Sequence, residues 1–184
     1  MKTLTPNDWI RGAASLLAQK GVEGCRVEPL AKNLGVSKGS FYWHFKKRAA
    51  LLDAVLHYWE TTATLDIITN VEAASTNPEE RLWILIERVF GTPAEYDLFE
   101  SALREWARKD SRAKASVTRV DKKRLGFVKK ILVEHGLPHA LAKERSQLMY
   151  CTLVGEFLLR SHGQKKLAKK TLRTLHMMLL SKAA

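Results

Sequence analysis

Hydrogen-bond donors are concentrated between residues 37 and 48, where the chain is best equipped to bind an anionic partner. Hydroxyl, ammonium and guanidinium groups donate to phosphate oxygens, and lysine also donates to the edges of bases. Gly39 has no side chain, so the backbone beside it can approach a duplex closely. These residue types predict contacts with double-stranded DNA. The candidate residues are Arg26, Ser37, Lys38, Gly39, Ser40, Tyr42, Trp43, His44, Lys46, Lys47 and Arg48.

The net charge favours an anionic partner but does not identify it. The chain carries 31 basic and 19 acidic residues, for a net charge of +12. Residues 1–50 hold 9 of the basic and 3 of the acidic residues, so half of the excess lies in the first quarter of the chain. Charge bears on association and not on fold. The N-terminal part is therefore the expected anion-binding part.

Two short helices and a tight turn must position these donors. A helix predicted over residues 28–34 ends at Gly35, which is well placed as a left-handed C-cap. Ser37 can then cap a second helix that runs to about residue 44. A helix-turn-helix has this arrangement, and its second helix enters the major groove of DNA.

The aromatic residues of the second helix divide between its two faces. Phe41 and Phe45 are four residues apart and share one face, which we expect to be buried. Tyr42 and Trp43 then point outward. The alternative is a plain helical hairpin with a solvated basic rim, and two outward aromatic side chains count against it.

The rest of the chain also predicts helices, since no strand-like alternation of useful length occurs. We expect an all-α fold of about nine helices. An N-terminal three-helix helix-turn-helix DNA-binding domain would occupy residues 1–50, and a C-terminal helical regulatory and dimerisation domain residues 51–184. The predicted helices cover about 6–20, 28–34, 37–44, 48–73, 79–90, 92–109, 111–135, 140–162 and 165–181.

Residues 35–45 read GVSKGSFYWHF, and KKRAALL follows them. This segment closely resembles the helix-turn-helix signature of TetR-type transcriptional regulators, and the resemblance covers about the first 55 residues. It implies that Arg48 holds a phosphate and that the second helix contacts DNA. The positions it implies for those contacts are Lys38, Gly39, Ser40, Tyr42, Trp43 and His44.

The start of the first short helix departs from the family pattern. Family members often carry Thr at the position of Arg26 and a basic residue at that of Glu28. Here the capping hydroxyl is missing and an acidic residue faces the DNA backbone. Arg26 is the candidate to replace the missing contacts.

The segment over residues 140–162 is apolar nearly all round and must be covered on both sides. With the helix over 165–181 and the same two helices of a second copy, it could form a four-helix bundle. We therefore expect a homodimer, which would match a pseudo-palindromic operator. The alternative is a helix buried in a monomer. The candidate interface residues are Leu148, Cys151, Thr152, Gly155, Leu158, Leu159, Leu172, Leu175 and Leu179.

Aromatic residues are spread over the middle helices, where the family resemblance implies an effector pocket. Such a pocket would suit a small apolar or aromatic molecule that releases a repressor from its operator. A regulator without an effector, controlled by abundance or by a protein partner, is the alternative. The candidate ligand-binding residues are Trp59, Trp83, Phe90, Phe99, Trp106, Phe127 and Tyr150.

Two carboxylates in apolar stretches need partners. Glu156 precedes Arg160 by four residues, so we expect an ion pair within one helix. Asp121 shares a helical stripe with apolar residues, and either Arg104 or Arg124 could pair with it.

No enzyme signature is present: the chain has no HExxH, no GxSxG and no glycine-rich phosphate loop. We therefore expect no catalytic residues, no cofactor and no metal. Cys25 and Cys151 form no metal or disulfide framework, and both predict buried, inert thiols. The chain has no signal-peptide pattern and no apolar run long enough to span a bilayer, so we expect a soluble, cytoplasmic protein without a membrane partner.

Overall fold

A computed structural model of the chain describes residues 4–181, and these residues form helices with no strand among them. The run from Arg48 to Ala74 is continuous, with a π-helical turn at Thr61–Leu65. When this run is counted as one helix, the described residues form nine helical segments, the number that the sequence predicts. The helices are α1 (Pro6–Gly24), α2 (Val27–Leu34), α3 (Lys38–Tyr42), α4 (Arg48–Glu60), α5 (Asp66–Ala74), α6 (Pro78–Phe90), α7 (Ala94–Ala107), α8 (Ser111–Glu134), α9 (His139–Ser161) and α10 (Lys169–Leu180).

Local chemistry explains where α1 begins and bends. The Thr5 side chain accepts a hydrogen bond from the backbone of Asp8, whose carboxylate accepts one from the backbone of Thr5. This reciprocal capping box satisfies two donors that a helix start leaves free. Gly21 has φ 65° and ψ −179°, so the regular helix stops there, close to the predicted end at residue 20.

The cap residues of the helix-turn-helix lie where the sequence predicts them. Gly35 ends α2 with φ 70°, and its backbone N–H donates to carbonyls of the last turn. Ser37 occupies the N-cap of α3, but its hydroxyl makes no capping hydrogen bond. Helix α3 ends at Tyr42, two residues before the predicted end. Arg26 occupies the N-cap of α2 without a side-chain cap, as the missing hydroxyl predicts.

Two hydrophobic clusters organise the helices. The N-terminal cluster is centred on Trp9, Leu17 and Phe41, all fully buried. The rings of Trp9 and Phe41 meet edge to face, with centroids 5.4 Å apart. The same cluster includes Leu103 and Trp106 of α7, so the core under the helix-turn-helix runs across the predicted boundary at residue 50.

The C-terminal cluster is built from one face each of α6, α8, α9 and α10. Its fully buried members include Leu82, Ile86, Ile131 and Leu132. Between residues 4 and 181, no helix is both long and apolar enough to cross a membrane.

Candidate nucleic-acid interface and interior cavity

Helix α3 presents two large aromatic side chains to solvent. Phe41 is fully buried, as predicted, whereas Tyr42 is 55% and Trp43 87% exposed. Phe41 also meets Tyr42 edge to face at 5.2 Å and stacks on Phe45 at 5.7 Å. The buried rings therefore fix the helix from below. The Tyr42 and Trp43 side chains lie in solvent on the outer side.

The predicted DNA-contacting residues lie around this helix. Arg26, Ser37, Lys38 and Gly39 are exposed, as are the two lysines that follow α3, whereas Ser40, His44 and Arg48 are half-buried. A surface groove between α2 and α3 is lined by the side chains of Arg26, Lys38 and Tyr42. Lys32, which the motif-based list omits, lines the same groove. The sequence could have indicated Lys32, because it lies four residues after Glu28 and the two side chains therefore share one face of α2.

Lys38 already has an anionic partner. Its Nζ donates to Glu28 Oε1 at 2.6 Å, across the gap between α3 and α2, and both side chains are largely exposed. This hydrogen bond, together with the positive charge of Lys38, lowers the pKa of Glu28. The unusual acidic residue at the start of α2 is therefore the ion-pair partner of a candidate DNA-reading lysine.

Arg48 is turned partly toward the protein. Its Nε donates to the carbonyl of Cys25 at 2.7 Å, and an Nη group donates to the carbonyl of Val22. These bonds tie the first residue of α4 to the bent end of α1. Phosphate binding by Arg48 stays a prediction. It would use the guanidinium N–H groups that do not donate to these two carbonyls. Cys25 is buried as predicted, and burial raises the pKa of its thiol.

An interior cavity lies between the π-helical turn, α5, α6, α8 and α9. It has a volume of about 40 Å³ and is lined mainly by apolar side chains, among them Ile68, Leu85, Met149, Leu153 and Phe157. The polar residues of its lining are Thr64, Thr92, Tyr96, Arg124 and Tyr150. The cavity is therefore mostly apolar with a few polar anchors, as small-molecule sites commonly are.

Two of the predicted ligand residues line this cavity, Phe127 and Tyr150. Trp59, Phe99 and Trp106 lie instead in the N-terminal cluster. The others lie in the C-terminal cluster or pack at its edge: Phe90 is buried there, and Trp83 lies under the guanidinium of Arg173 at 3.6 Å from the ring centroid.

Sequence reasoning missed the cavity's most polar residue. Arg124 Nη2 donates to Glu100 Oε1 at 2.6 Å, and its Nε donates to Thr64 Oγ1 at 3.1 Å. Glu100 in turn accepts from Trp59 Nε1 at 2.9 Å. Burial opposes the ionisation of Glu100, but the charges of Arg124 and Arg104 outweigh burial and lower its pKa. One buried ion pair thus connects the cavity, the π-helical turn and α4.

Of the two partners considered for Asp121, Arg104 is confirmed, at 3.0 Å from Nη2 to Oδ1. Tyr150 donates its hydroxyl to the same carboxylate oxygen at 2.6 Å. Burial raises the pKa of Tyr150 to about 12, so the phenol remains a proton donor at neutral pH.

The predicted pair between Glu156 and Arg160 is wrong. Arg160 points into the interior, where its Nε donates to Asp97 at 2.7 Å and an Nη group donates to the carbonyl of Phe90 at 2.7 Å. Glu156 accepts from the backbone N–H of Leu167 at 2.9 Å instead. The spacing of four residues allowed a local pair, but interior partners on other helices satisfy the guanidinium more completely.

Helices α9 and α10 carry an exposed apolar face. Leu148, Leu158 and Leu159 are 65%, 54% and 55% exposed, and Met177 and Met178 of α10 are 62% and 65% exposed. We call these five side chains the α9–α10 face. Of the other candidate interface residues, Thr152 is exposed, Gly155 and Leu175 are half-buried, and Leu172 and Leu179 are buried in the chain's own core. Cys151 is exposed, so the prediction of a buried thiol is wrong for it.

Comparisons with known proteins agree with this geometry. Residues 10–55 match the family model of bacterial regulatory proteins, tetR family. The tetracycline repressor protein class A from transposon 1721 of Escherichia coli is 47% identical over 55 residues, which are 30% of this chain and 26% of that protein. The uncharacterized HTH-type regulator YuxN of Bacillus subtilis is 35% identical over 83 residues, covering 44% of this chain and 28% of its own. The chain spans about a quarter of the length of these curated relatives.

Solved structures match nearly the whole fold. A transcriptional regulator from Rhodococcus sp. Rha1 aligns with a TM-score of 0.78 at 18% identity, covering 96% of this chain and 94% of that one. The fatty acid degradation regulator FadR from Bacillus halodurans aligns with a TM-score of 0.74 at 19% identity, covering 98% and 96%. The N-terminal segment is a helix-turn-helix, and the chain as a whole has the fold of these solved structures. The similarity in sequence to the tetR family lies in the N-terminal part of the chain, where the family model matches residues 10–55.

Proposed function

We propose that the chain is a dimeric, sequence-specific DNA-binding repressor that a small apolar or aromatic effector releases from a pseudo-palindromic operator. The observation that carries the proposal is the exposure of Tyr42 and Trp43 above a buried Phe41. A short helix that holds two large rings outward beside lysines offers both base edges and phosphates a preformed partner.

In this proposal α3 enters the major groove, where Lys38 and Ser40 in its first turn reach base edges. Tyr42 and the exposed Lys46 and Lys47 donate to the flanking phosphates. The roles divide accordingly: the first turn selects the sequence, whereas the later residues supply affinity that falls as salt rises.

The α9–α10 face supports the dimer. Five large apolar side chains exposed on two adjacent helices exceed what scattered surface residues would give, and such patches mark interaction sites. A twofold axis through this face would place two copies of α3 at matched half-sites.

The cavity favours an effector over control by abundance alone. Arg124 connects the cavity to Thr64 in the π-helical turn and, through Glu100, to Trp59 of α4. The opposite end of α4 begins at Arg48, beside the DNA-reading residues. A ligand that changes the position of Arg124 therefore has a continuous physical route to the interface.

The proposal is tested by selecting sequences from a random duplex library with the purified protein at two salt concentrations. We expect a motif with two inverted half-sites that survives the higher salt. If binding is strongly salt-sensitive and no sequence motif is recovered, the basic surface binds DNA non-specifically and the regulator proposal is wrong.

A further inference from the structure

A surface cleft lies between α1, the end of α4 and the start of α7. Its volume is about 340 Å³, whereas the interior cavity has about 40 Å³. Sites for small organic molecules commonly have volumes of about 300–1,000 Å³, so the cleft has room for such a molecule and the cavity alone does not. Apolar and aromatic side chains form much of the cleft wall, among them Ala18, Tyr58, Leu98 and Phe99.

Tyr96 lies at the junction of the cleft and the cavity. Among the described residues it is the one that lines both spaces. It also packs against both the N-terminal and the C-terminal hydrophobic cluster. Its ring meets the ring of Phe157, which lines the cavity, edge to face with centroids 5.7 Å apart. The Tyr96 side chain is therefore the partition between the two spaces.

Two hydrogen bonds hold the Tyr96 side chain in this position. Its hydroxyl donates to Glu100 Oε1 at 2.9 Å and accepts from Arg124 Nη2 at 3.2 Å. Burial raises the pKa of Tyr96, so the phenol keeps its proton at neutral pH. Glu100 also accepts from Trp59, and Arg124 also donates to Glu100 and to the carbonyl of Ala63. Displacement of the Tyr96 ring therefore leaves neither buried charge without a partner.

We propose that the cleft and the cavity together form the effector site, and that Tyr96 is the gate between them. The inference rests on the proposed function and adds the location of the site. When Tyr96 turns aside, one end of a ligand held in the cleft enters the cavity. Helices α1 and α4 form two walls of the cleft, and Trp9 of α1 packs on Phe41 of α3. A ligand in the cleft therefore acts on the helices that support the DNA-reading helix.

The charges of the walls favour an uncharged ligand. Among the described residues, the two spaces are lined by two charged side chains, Arg124 and Glu95. Arg124 is already paired with Glu100 at 2.6 Å, and Glu95 is exposed at the start of α7. A charged ligand would lose its hydration in the cavity without gaining a free partner there. The site therefore fits an uncharged aromatic molecule.

The gate is tested with N-phenyl-1-naphthylamine, an uncharged aromatic probe that fluoresces in apolar surroundings. Stopped-flow fluorescence measures its association with the full chain at pH 7. Tyr96→Phe keeps the ring but removes both hydrogen bonds, so we expect association about three- to tenfold faster than with the unaltered chain. Tyr58→Phe is the matched control, because Tyr58 lines the cleft but not the cavity. Its association rate should be unchanged.

The cleft itself is tested by filling it. Ser15 is exposed on α1 and lines the cleft, so Ser15→Trp places an indole ring in that space. We expect the affinity for the probe to fall about tenfold or more, because the ring takes up apolar surface that the probe would cover. Ser111→Trp makes the same change at an exposed residue of α8 that does not line the cleft, and its affinity should be unchanged. Thermal unfolding verifies that each variant folds.

Three results would overturn the inference. The first is no binding of the probe by the unaltered chain, and the second is equal association rates for Tyr96→Phe and Tyr58→Phe. The third is undiminished binding by Ser15→Trp, which would place the probe elsewhere, for instance on the α9–α10 face. Because these measurements need no DNA, operator binding by the same preparation tests the proposed function separately. Loss of operator binding alone would remove the repressor and leave the site standing.

Discussion

Lys38 faces two competing anions, the carboxylate of Glu28 in the free protein and the DNA in the proposed complex. The 2.6 Å ion pair must open, or at least share its proton donors, before Lys38 can reach a base. Since both side chains are largely exposed, the pair itself contributes little to folding. We expect the pair to affect DNA binding instead, because the Glu28 carboxylate accepts a hydrogen bond from Lys38 and repels the DNA phosphates.

The variant Glu28→Gln should therefore bind operator DNA about three- to tenfold more tightly at low salt, with a smaller gain at high salt where charges are screened. Fluorescence anisotropy of a labelled operator measures the change. Glu23→Gln removes the same charge from an exposed residue that does not line the α2–α3 groove. Equal gains in the two variants would mean that net charge, and not the Lys38 pair, sets the affinity.

Substitutions of Lys38 and Tyr42 should have different effects on DNA binding. Lys38→Ala should change the preference among operator sequences by ~1–3 kcal/mol, as expected for a side chain that reads a base. Tyr42→Ala should weaken binding to all sequences nearly uniformly and reduce the salt dependence if Tyr42 clamps a phosphate network. Affinities for a panel of single-base operator variants separate the two, and a uniform loss with Lys38→Ala would assign that lysine to the DNA backbone.

Helix α8 has an N-cap residue whose charge can be titrated, Asp110. Asp110 accepts from the backbone N–H groups of Arg112 and Ala113 at 2.8 and 3.2 Å. It also pairs with the Arg112 side chain, and that hydrogen bond, opposed by slight burial, holds the pKa of Asp110 at about 2. Because the folded-state pKa is depressed, its stabilising effect is present above the unfolded value, about 4, and is lost as pH falls toward about 2.

Asp110→Ala should lower the free energy of unfolding by ~1 kcal/mol at pH 7, the usual value of an N-cap. The difference from the unaltered chain should shrink as pH falls toward about 2. Urea unfolding at several pH values measures it. Asp110→Asn keeps an acceptor without the charge, so its loss at pH 7 should be smaller, and it too should vanish as Asp110 of the unaltered chain becomes protonated.

Helix positions were largely predictable because their signals are local. Pro6, Gly35 and Pro78 mark ends by backbone geometry alone, and the observed bounds follow them closely. The π-helical turn was not predictable, since TTATL has no feature that distinguishes it from an α-helical stretch. Its distinguishing contacts come from Arg124, about 60 residues further along the chain.

At the scale of the whole molecule, the α9–α10 face is the interface of the proposed dimer. Leu158→Arg places a charge on the α9–α10 face and should convert the proposed dimer to monomer, measured by light scattering after gel filtration. Leu65→Arg is the control: Leu65 is 39% exposed in the π-helical turn and belongs to neither helix. A dimer that persists in Leu158→Arg would place the interface elsewhere.

The two candidate sites differed in how far the sequence could reveal them. The proposed DNA-contacting residues other than Arg26 fall within one short segment, so spacing and residue type could select them together. The cavity is assembled from side chains of α5 to α9 that only the tertiary fold brings together. Aromatic content therefore selected Phe127 and Tyr150 correctly as lining residues but gave Trp59 and Trp106 equal weight, although both pack in another cluster.

The hydrophobic cluster that joins α1 to α7 bears on how this protein could be re-engineered. Leu103 is fully buried and Trp106 is 4% exposed in the cluster that also contains Trp9 and Leu17. A fusion that joins residues 1–50 to an unrelated sensor domain would lose the contacts with α7. Part of the N-terminal cluster would then be exposed to solvent. The helix-turn-helix segment therefore should not keep its structure when it is transferred without α7. Exchanges between regulators should keep α1 together with the α7 surface that covers it.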